Sequence, residues 1–270
     1  MRPVLFSILG FDVQTYGLSK ALAAWVAALL LARAFERRGL SRQHAYSLVL
    51  WSTVWGFAGA RAYYLLEHLG TLTWHDLGGM GFTWYGGLVA GAAAAVIMVR
   101  RWRLPLGVVA GAMAAPLSVG YAIGRVGCLV SGDGTYGRPT TLPWGMTFPN
   151  GVVATGVPVH PTPLYEALAA LLIAGFLWWL GRRATGPVVF AWYLVLSGIA
   201  RLLVEYLRTN APVILGLTQP QLWALVATAL GVTLMVRTSG GGGSEQGPDP
   251  AVDVKGESSG TLERHEGVAR

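Results

Sequence analysis

Residues 17–35 read GLSKALAAWVAALLLARAF, an apolar run broken only by one lysine and one arginine. At a rise of about 1.5 Å per residue, a helix of this length crosses the hydrocarbon core of a bilayer. Further runs of this kind lie at 45–66, 84–99, 106–123, 163–180, 187–207 and 220–236. The sequence therefore predicts an all-α membrane bundle of about seven transmembrane helices, with a head region of longer loops on its outer side.

The overall composition supports a membrane protein. Hydrophobic residues make up 53% of the chain and charged residues 12%, against roughly 25% charged residues in soluble domains. The mean hydropathy is +0.50, which exceeds what one buried core requires. An ordinary water-soluble enzyme is excluded. The histidines have no ligand spacing and the chain has a single cysteine, so we expect neither a metal site nor a disulfide framework.

Positive charges follow alternate predicted helices and so predict an orientation. The arginines after the first, third, fifth and seventh helices are Arg33, Arg37, Arg38, Arg42, Arg100, Arg101, Arg103, Arg182, Arg183 and Arg237. Short loops rich in arginine stay in the cytoplasm, so the N-terminus is expected outside and the C-terminus inside. Because the arginines form short clusters between apolar runs and not one basic face, nucleic-acid binding is not expected.

Residues 238–270 differ in composition from the rest of the chain. They begin TSGGGGSEQGPDP, are rich in glycine and serine, and contain more acidic than basic residues. Such a segment buries too little apolar surface to offset the entropy lost on ordering. We therefore predict a transmembrane domain over residues 1–237 and a disordered cytoplasmic tail over residues 238–270.

Ionisable residues inside predicted helices are candidate functional residues, because a charge in lipid is unfavourable unless it is paired or used. Arg201 and Glu205 are four residues apart and could simply neutralise each other. Arg61 could pair with Glu67 or Glu166, or extend towards the interface. Lys20 lies close enough to the outer end of its helix to extend into the interface.

The longest predicted outer loop, 124–162, begins GRVGCLVSGDGTYGR. Backbone rich in glycine can direct amide groups towards an anion, and Arg125 and Arg138 add positive charge, so the loop could bind phosphate. A flexible surface loop explains the same composition. At the end of the loop, His160 has the intrinsic pKa of a general base, although a hydrogen-bonding role at the helix start explains it as well.

Five motifs in this order resemble the bacterial prolipoprotein diacylglyceryl transferases, over roughly residues 3–237. They are Phe6-Ser7-Ile8 leading to Tyr16-Gly17-Leu18, the segment WYGGLVAG at 84–91, GRVGCL at 124–129 continuing to Gly137, HPTPLYE at 160–166, and GIARLLVEYLR at 198–208. The five motifs together are much more specific than any one of them. Cys128 itself is interpreted as a packed small residue.

The resemblance implies a multi-pass enzyme of the bacterial inner membrane, with seven helices and no metal or organic cofactor. Its implied substrates are phosphatidylglycerol and the lipobox cysteine in the signal peptide of a prolipoprotein, with glycerol 1-phosphate released. Its central residues match Arg125 and Arg201, and its motif positions include Tyr16, Gly137 and Glu205. We add Asp133 and Arg61 as candidate head-group ligands, and His160 and Tyr85 as candidate catalytic residues.

The chain departs from the family pattern near the expected proton acceptor. The third helix of the family usually carries His-Gly-Gly-Leu, whereas Tyr85 stands here in place of the histidine. Cys128 replaces a usual asparagine, and Asp133 stands near a usual glutamate. A tyrosine with a pKa near 10 is a poor base at neutral pH, so His160, Asp133 or the substrate phosphate remain as proton acceptors.

These departures keep two other functions open. One is a divergent relative that uses a different lipid donor or acceptor, as Tyr85 and Cys128 suggest. The other is a non-enzymatic anion or lipid transporter, in which Arg61, Arg125 and Arg201 would line the pathway. The absence of paired interrupted helices argues against a transporter built from inverted repeats.

Overall fold

A computed structural model describes residues 3–8, 11–69 and 83–240, and this part of the chain is mostly helical. Its seven helices are α1 (Thr15–Glu36), α2 (Arg42–Glu67), α3 (Trp84–Arg101), α4 (Leu106–Ser131), α5 (Thr162–Leu180), α6 (Gly186–Glu205) and α7 (Gln219–Gly240). Three short antiparallel hairpins accompany them: β1 (Val4–Ile8) with β2 (Phe11–Gln14), β3 (Met146–Phe148) with β4 (Thr155–Val159), and β5 (Pro212–Ile214) with β6 (Leu217–Thr218).

Each predicted apolar run coincides with one helix. Five helices in the described part, α1 and α4 to α7, are long and apolar enough to cross a membrane. The other two are less apolar, because α2 carries Arg61 with several aromatic residues and α3 ends in a pair of arginines. From residue 241 onward, the predicted tail lies outside the described residues.

Helix α4 lies at the centre of the bundle, where it packs against α1, α5 and α6. A core of Leu31, Phe35, Leu48, Val99 and Val109 joins α1, α2, α3 and α4 near one end. Of the other helix contacts, the most extensive are α2 with α3 and α6 with α7, while α1 also packs on α2 and α5 on α6. The central helix thus positions side chains from both halves of the chain.

Small residues let α2 and α3 approach closely. A Cβ atom added to Gly59 would lie 2.7 Å from the carbonyl oxygen of Gly86, and one added to Gly87 would lie 3.2 Å from that of Gly56. Such contacts are how helices associate where apolar surface alone gives no preference. Packing therefore accounts for the two glycines after Tyr85.

The predicted start of the outer loop at residue 124 is wrong, since α4 continues to Ser131 and only then ends, at Gly132 in a left-handed conformation (φ 65°). Gly124 and Gly127 are helical although glycine lowers helix stability by roughly 1 kcal/mol. They are needed for packing against α1, because Gly127 leaves no room for a side chain beside Ser19 and Gly124 adjoins Lys20. Arg125 therefore projects from a helix and not from a flexible loop.

The hairpins are additions to the predicted all-α fold. The loop after α4 lies beside two other segments of the chain. Gly137 forms an isolated antiparallel β-bridge with Arg208, and Pro139 forms one with Val159. The ring of Tyr136 stacks on Phe148 at 3.9 Å. These contacts hold the loop in place at the end of the bundle where α4 ends and α5 begins.

Candidate functional site

Glu166, in the second turn of α5, is the centre of a group of buried charges. Its Oε1 atom accepts a hydrogen bond from Nη1 of Arg201 at 2.6 Å, and its Oε2 atom lies 3.2 Å from Nε of Arg125. The hydroxyl of Tyr121 donates to the same Oε1 atom at 2.8 Å. The side chain of Glu166 is only 3% exposed. Residues from α4, α5 and α6 thus meet on one carboxylate.

A second carboxylate holds the other side of Arg201. Nη2 of Arg201 lies 2.7 Å from Oε2 of Glu205, one turn further along α6. Oε1 of Glu205 accepts hydrogen bonds from the Thr218 hydroxyl at 2.7 Å and from the Asn210 side-chain amide at 2.6 Å. The Arg201–Glu205 pair considered from the sequence therefore exists, but the guanidinium of Arg201 bridges two carboxylates and not one.

Arg208 brings a third guanidinium, from the turn after α6. It lies 3.8 Å from Oε2 of Glu166 and 3.9 Å from Oε2 of Glu205, and its Nη1 donates to the carbonyl of Thr135 at 3.0 Å. Burial lowers the pKa of Arg208, as does the positive charge of Arg201, but a guanidinium remains charged at neutral pH. Arg125, Glu166, Arg201, Glu205 and Arg208 are called the Glu166 cluster below.

Three arginines and two glutamates leave the Glu166 cluster with a net charge of +1. The two carboxylates are almost fully buried, whereas the side chains of Arg125 and Arg201 are 18% and 19% exposed. Oε2 of each glutamate is held by ion pairs alone, and neither these oxygens nor Nε of Arg208 makes a well-aligned hydrogen bond in the described part of the chain. A partly open site with a surplus guanidinium is suited to an anion, since guanidinium groups bind phosphate oxygens bidentately.

Gly137 joins the loop after α4 to the cluster. Its N–H donates to the carbonyl of His160 at 2.9 Å, and the next N–H, of Arg138, donates to the carbonyl of Leu207 at 2.8 Å. A Cβ atom at position 137 would lie 2.5 Å from that Leu207 oxygen. Glycine therefore allows the loop to approach the segment that carries Arg208.

Tyr16 and Asp133 border the cluster on the α1 side. Both interact electrostatically with Cys128, and Tyr16 also interacts with Arg125. Oδ1 of Asp133 accepts bonds from the N–H and the hydroxyl of Thr135, and the Nζ atom of Lys20 lies 4.9 Å from the centre of the Tyr16 ring. Cys128 is 3% exposed, in agreement with a packed small residue.

The other three candidates differ in position. Tyr85 stacks on Trp223 at 5.6 Å and interacts electrostatically with Arg201 and Glu205, so it borders the cluster from α3. The Nδ1 atom of His160 lies 3.4 Å from the hydroxyl of Tyr165, at the point where the loop ends and α5 begins. Arg61 lies over the ring of Tyr64 on α2, at 5.4 Å, and is not among the guanidinium groups bound to Glu166.

Sequence reasoning selected Arg125, Arg201 and Glu205 but missed Glu166 and Arg208 as site residues. In the sequence Glu166 was considered only as a possible partner of Arg61, but a carboxylate near the start of a membrane helix is a signal that could have placed it in the site. Arg208 lies one turn after Glu205 on the same motif. Within the described ranges, no group of three or more His, Cys, Asp or Glu residues could hold a metal ion.

Comparisons with known proteins give the same family over most of the chain. The model of the prolipoprotein diacylglyceryl transferase family matches residues 3–237. A phosphatidylglycerol-prolipoprotein diacylglyceryl transferase of Finegoldia magna is 30% identical over 88% of this chain and 96% of its own length. Relatives of the same name from Geobacter sulfurreducens and Clostridium tetani are 35% and 29% identical, over 76% and 77% of this chain and 82% and 86% of their own lengths.

Proposed function

The chain belongs to the prolipoprotein diacylglyceryl transferase family, and from that premise we propose that the Glu166 cluster binds the phosphate of the lipid donor. The protein is a multi-pass membrane enzyme that transfers the diacylglyceryl group of phosphatidylglycerol to prolipoproteins, the first step of lipoprotein maturation. The observation that carries the assignment of the site is the convergence of Arg125 and Arg201 on Glu166.

The acceptor in this proposal is the thiol of the lipobox cysteine in the signal peptide. Its sulfur attacks the glyceryl carbon that carries the phosphate, so a carbon–sulfur bond forms while the carbon–oxygen bond to phosphate breaks. The electron pair of the broken bond stays on the phosphate oxygen, and glycerol 1-phosphate leaves. A thioether links the diacylglyceryl group to the protein.

Arg125 and Arg201 are the proposed clamp on the phosphate. Phosphatidylglycerol carries one negative charge on its phosphodiester, which matches the net charge of +1 in the Glu166 cluster. Negative charge grows on the phosphate as the carbon–oxygen bond breaks. Fixed guanidinium groups in a site of low polarity stabilise that charge without reorganising, which is the principal way in which enzymes lower such barriers.

The two glutamates have a positioning role in this proposal. Glu166 fixes the guanidinium groups of Arg125 and Arg201, while Glu205 holds the other edge of Arg201. Without these carboxylates, three like charges in one site would repel one another and turn towards water. Tyr16, Asp133 and Gly137 are proposed to shape the side of the head-group site nearest the loop.

The proton balance closes without a dedicated base. A neutral thiol and a singly charged diester yield a thioether and a phosphate monoester that carries one proton. The substrate phosphate is therefore our proposed final acceptor, and the cationic cluster favours the thiolate during the attack. This assignment accommodates Tyr85, which need not accept a proton and can bind the head group through its hydroxyl.

We also propose the full topology of seven transmembrane helices in the bacterial inner membrane. The arginine clusters after α1, α3, α5 and α7 support a cytoplasmic position for those helix ends and for residues 238–270. The Glu166 cluster would then lie towards the outer face, which a substrate thiol on an exported signal peptide can reach.

The experiment uses the full chain, purified and reconstituted in phosphatidylglycerol vesicles with a lipobox peptide. We expect stoichiometric formation of diacylglyceryl peptide and glycerol 1-phosphate. A peptide with serine in place of cysteine is the matched control and should yield neither product. Release of glycerol phosphate without peptide modification, or transport of lipid without any product, would overturn the proposal.

A further inference from the structure

A second basic site lies at the other end of the bundle. There, α1, α4 and α5 line a half-open cavity of about 370 Å³, and Arg37, Arg38 and Arg182, just after the ends of α1 and α5, form its solvent-exposed mouth. Leu177, in the wall of this cavity, and Glu166 lie on the same helix, roughly 16 Å apart along its axis. The cavity is therefore separate from the Glu166 cluster and is called the arginine cavity below.

The mouth of the arginine cavity is strongly cationic. In the part of the chain that the structure describes, the guanidinium groups of Arg37, Arg38 and Arg182 have no carboxylate within 4.0 Å, and the neighbouring Glu36 is paired with Arg42. Arg37 lies over the ring of Trp178 at 5.0 Å and donates to the carbonyl of Arg33.

Arg38, at this mouth, donates to the carbonyl of Ala34 at 2.9 Å. Burial lowers the pKa of Arg38, and the adjacent charge of Arg37 lowers it further. A guanidinium has five N–H donors, so these contacts leave donors for an anion.

The depth of the arginine cavity is apolar. Behind the arginines, its wall is formed by Leu30, Ala34, Ala112, Ala115 and Leu177. Ala112 and Leu177 are fully buried beside it, and Leu30 is partly exposed. On α4 the lining runs from Gly111 to Pro116, about 8 Å along the helix axis, so the wall is between one and two helical turns deep.

This combination of a cationic mouth and an apolar wall fits one kind of ligand. A phosphate on a short glycerol unit would reach the three guanidinium groups, while an acyl chain would cover the apolar wall. Clustered arginines at the membrane interface are suited to the head groups of anionic lipids. A hydrophilic peptide segment could pair with the guanidinium groups at the mouth but would leave the apolar wall uncovered.

We propose that the arginine cavity binds one anionic phospholipid, with its phosphate between Arg38 and Arg182 and the first part of one acyl chain along the wall between α1, α4 and α5. The bound lipid holds α1 and α5 to the central helix, and it is distinct from the lipid consumed in the reaction. This proposal does not rest on the function assigned to the Glu166 cluster.

The test compares two double variants of the full chain in a neutral detergent. Arg38→Gln with Arg182→Gln removes two charges from the arginine cavity, and Arg100→Gln with Arg101→Gln removes two charges from the end of α3, outside its lining. The probes are dioleoyl phosphatidic acid, dioleoyl phosphatidylcholine and inorganic phosphate. Native mass spectrometry counts bound lipids, and thermal unfolding reports stabilisation by the ligand.

We expect the unaltered chain and the α3 variant to bind one more molecule of phosphatidic acid than the cavity variant, whose affinity falls by about tenfold or more. Phosphatidylcholine should show no such difference. The reaction occurs at the other end of the bundle. If the cavity variant has the same transfer activity as the α3 variant, the cavity variant is therefore folded.

Three results would overturn the proposal. Equal binding of phosphatidic acid by the two double variants would show that the arginines do not form a lipid site. Equal protection by inorganic phosphate would indicate a site for a free anion. Binding that appears only after removal of residues 241–270 would make the acidic tail the occupant of the cavity.

Discussion

Arg125 and Arg201 are bound to the two oxygens of a single carboxylate: Nε of Arg125 lies 3.2 Å from Oε2 of Glu166, and Nη1 of Arg201 lies 2.6 Å from Oε1. The two arginines come from α4 and α6, which are distant in sequence. The separation between the guanidinium groups is therefore set by the width of one carboxyl group. This is a short, fixed spacing of the kind that two oxygens of one phosphate can span.

The first prediction concerns Glu166. Glu166→Gln keeps a partner for the Tyr121 hydroxyl but removes the negative charge that holds two arginines together. We expect turnover with phosphatidylglycerol to fall at least about a hundredfold, because the guanidinium groups lose their fixed geometry. Binding of the anionic head group should be retained, since the net charge rises, so kcat should fall more than KM rises.

Glu36→Gln is the matched control for this change. Glu36 is paired with Arg42 at 2.7 Å, and both side chains are more than half exposed. An exposed ion pair contributes little, so this variant should retain nearly full turnover. Equal activities of the two variants would show that Glu166 has no role in the site.

The second prediction separates the shape of Arg201 from its charge. Arg201→Lys keeps one positive charge, but an ammonium group cannot bridge Glu166 and Glu205 in the way the planar guanidinium does. We expect at least about a hundredfold loss of turnover. The assay compares initial rates of glycerol phosphate release. Arg42→Lys should behave like the unaltered chain, and substantial activity in Arg201→Lys would refute the need for a bridging guanidinium.

The third prediction tests the close approach of the loop after α4 to the segment that follows α6. Gly137→Ala would place a methyl group 2.5 Å from the carbonyl oxygen of Leu207 and 2.8 Å from Cβ of His160. The loop must then move away from the segment that carries Arg208. We expect at least about a tenfold loss of turnover while membrane insertion is preserved.

Gly156→Ala serves as the control for this variant. Nothing lies within 4 Å of a Cβ atom built at Gly156, and neither glycine has a positive φ angle. Its activity should remain within about twofold of the unaltered chain, since a surface substitution of this kind has a small effect. A fully active Gly137→Ala protein would contradict the proposed role of the close approach.

The fourth prediction concerns Tyr85, which stands where the family usually has histidine. If the substrate phosphate takes the thiol proton, Tyr85→His should change turnover by no more than about threefold and leave the pH profile unaltered. Tyr85→Ala should reduce turnover more, because it removes the stack on Trp223 and the neighbour of Arg201. A new inflection near pH 6 to 7 in the histidine variant would instead identify position 85 as a proton acceptor.

Much of the fold could be predicted from hydrophobicity alone, because helix position in a membrane protein depends on length and apolar character. The seven apolar runs coincide with α1 to α7. The end of α4 could not be predicted, because Gly124 and Gly127 are typical of a loop by composition. Their helical conformation depends on packing against Ser19 and Lys20, which lie far away in sequence.

The candidate site was predictable only in part. The separate signals from Arg125, Arg201 and Glu205 were visible, since each stands out in an apolar context or in a motif. The pairing of Glu166 with Arg125 and Arg201 was not visible, because no sequence periodicity connects residues on different helices. The hairpins escaped prediction for a similar reason: β3 has three residues and is held by contacts with β4 and with Tyr136.

The single surplus of positive charge in the Glu166 cluster has a consequence for the catalytic cycle. The second ionisation of a phosphate monoester lies near pH 6, so the departing glycerol phosphate carries more negative charge at neutral pH than the diester that entered. In the mechanism proposed above, the guanidinium groups that stabilise the departing phosphate would therefore bind the product more strongly than the donor. We therefore expect added glycerol phosphate to compete with the lipid donor and to slow the enzyme.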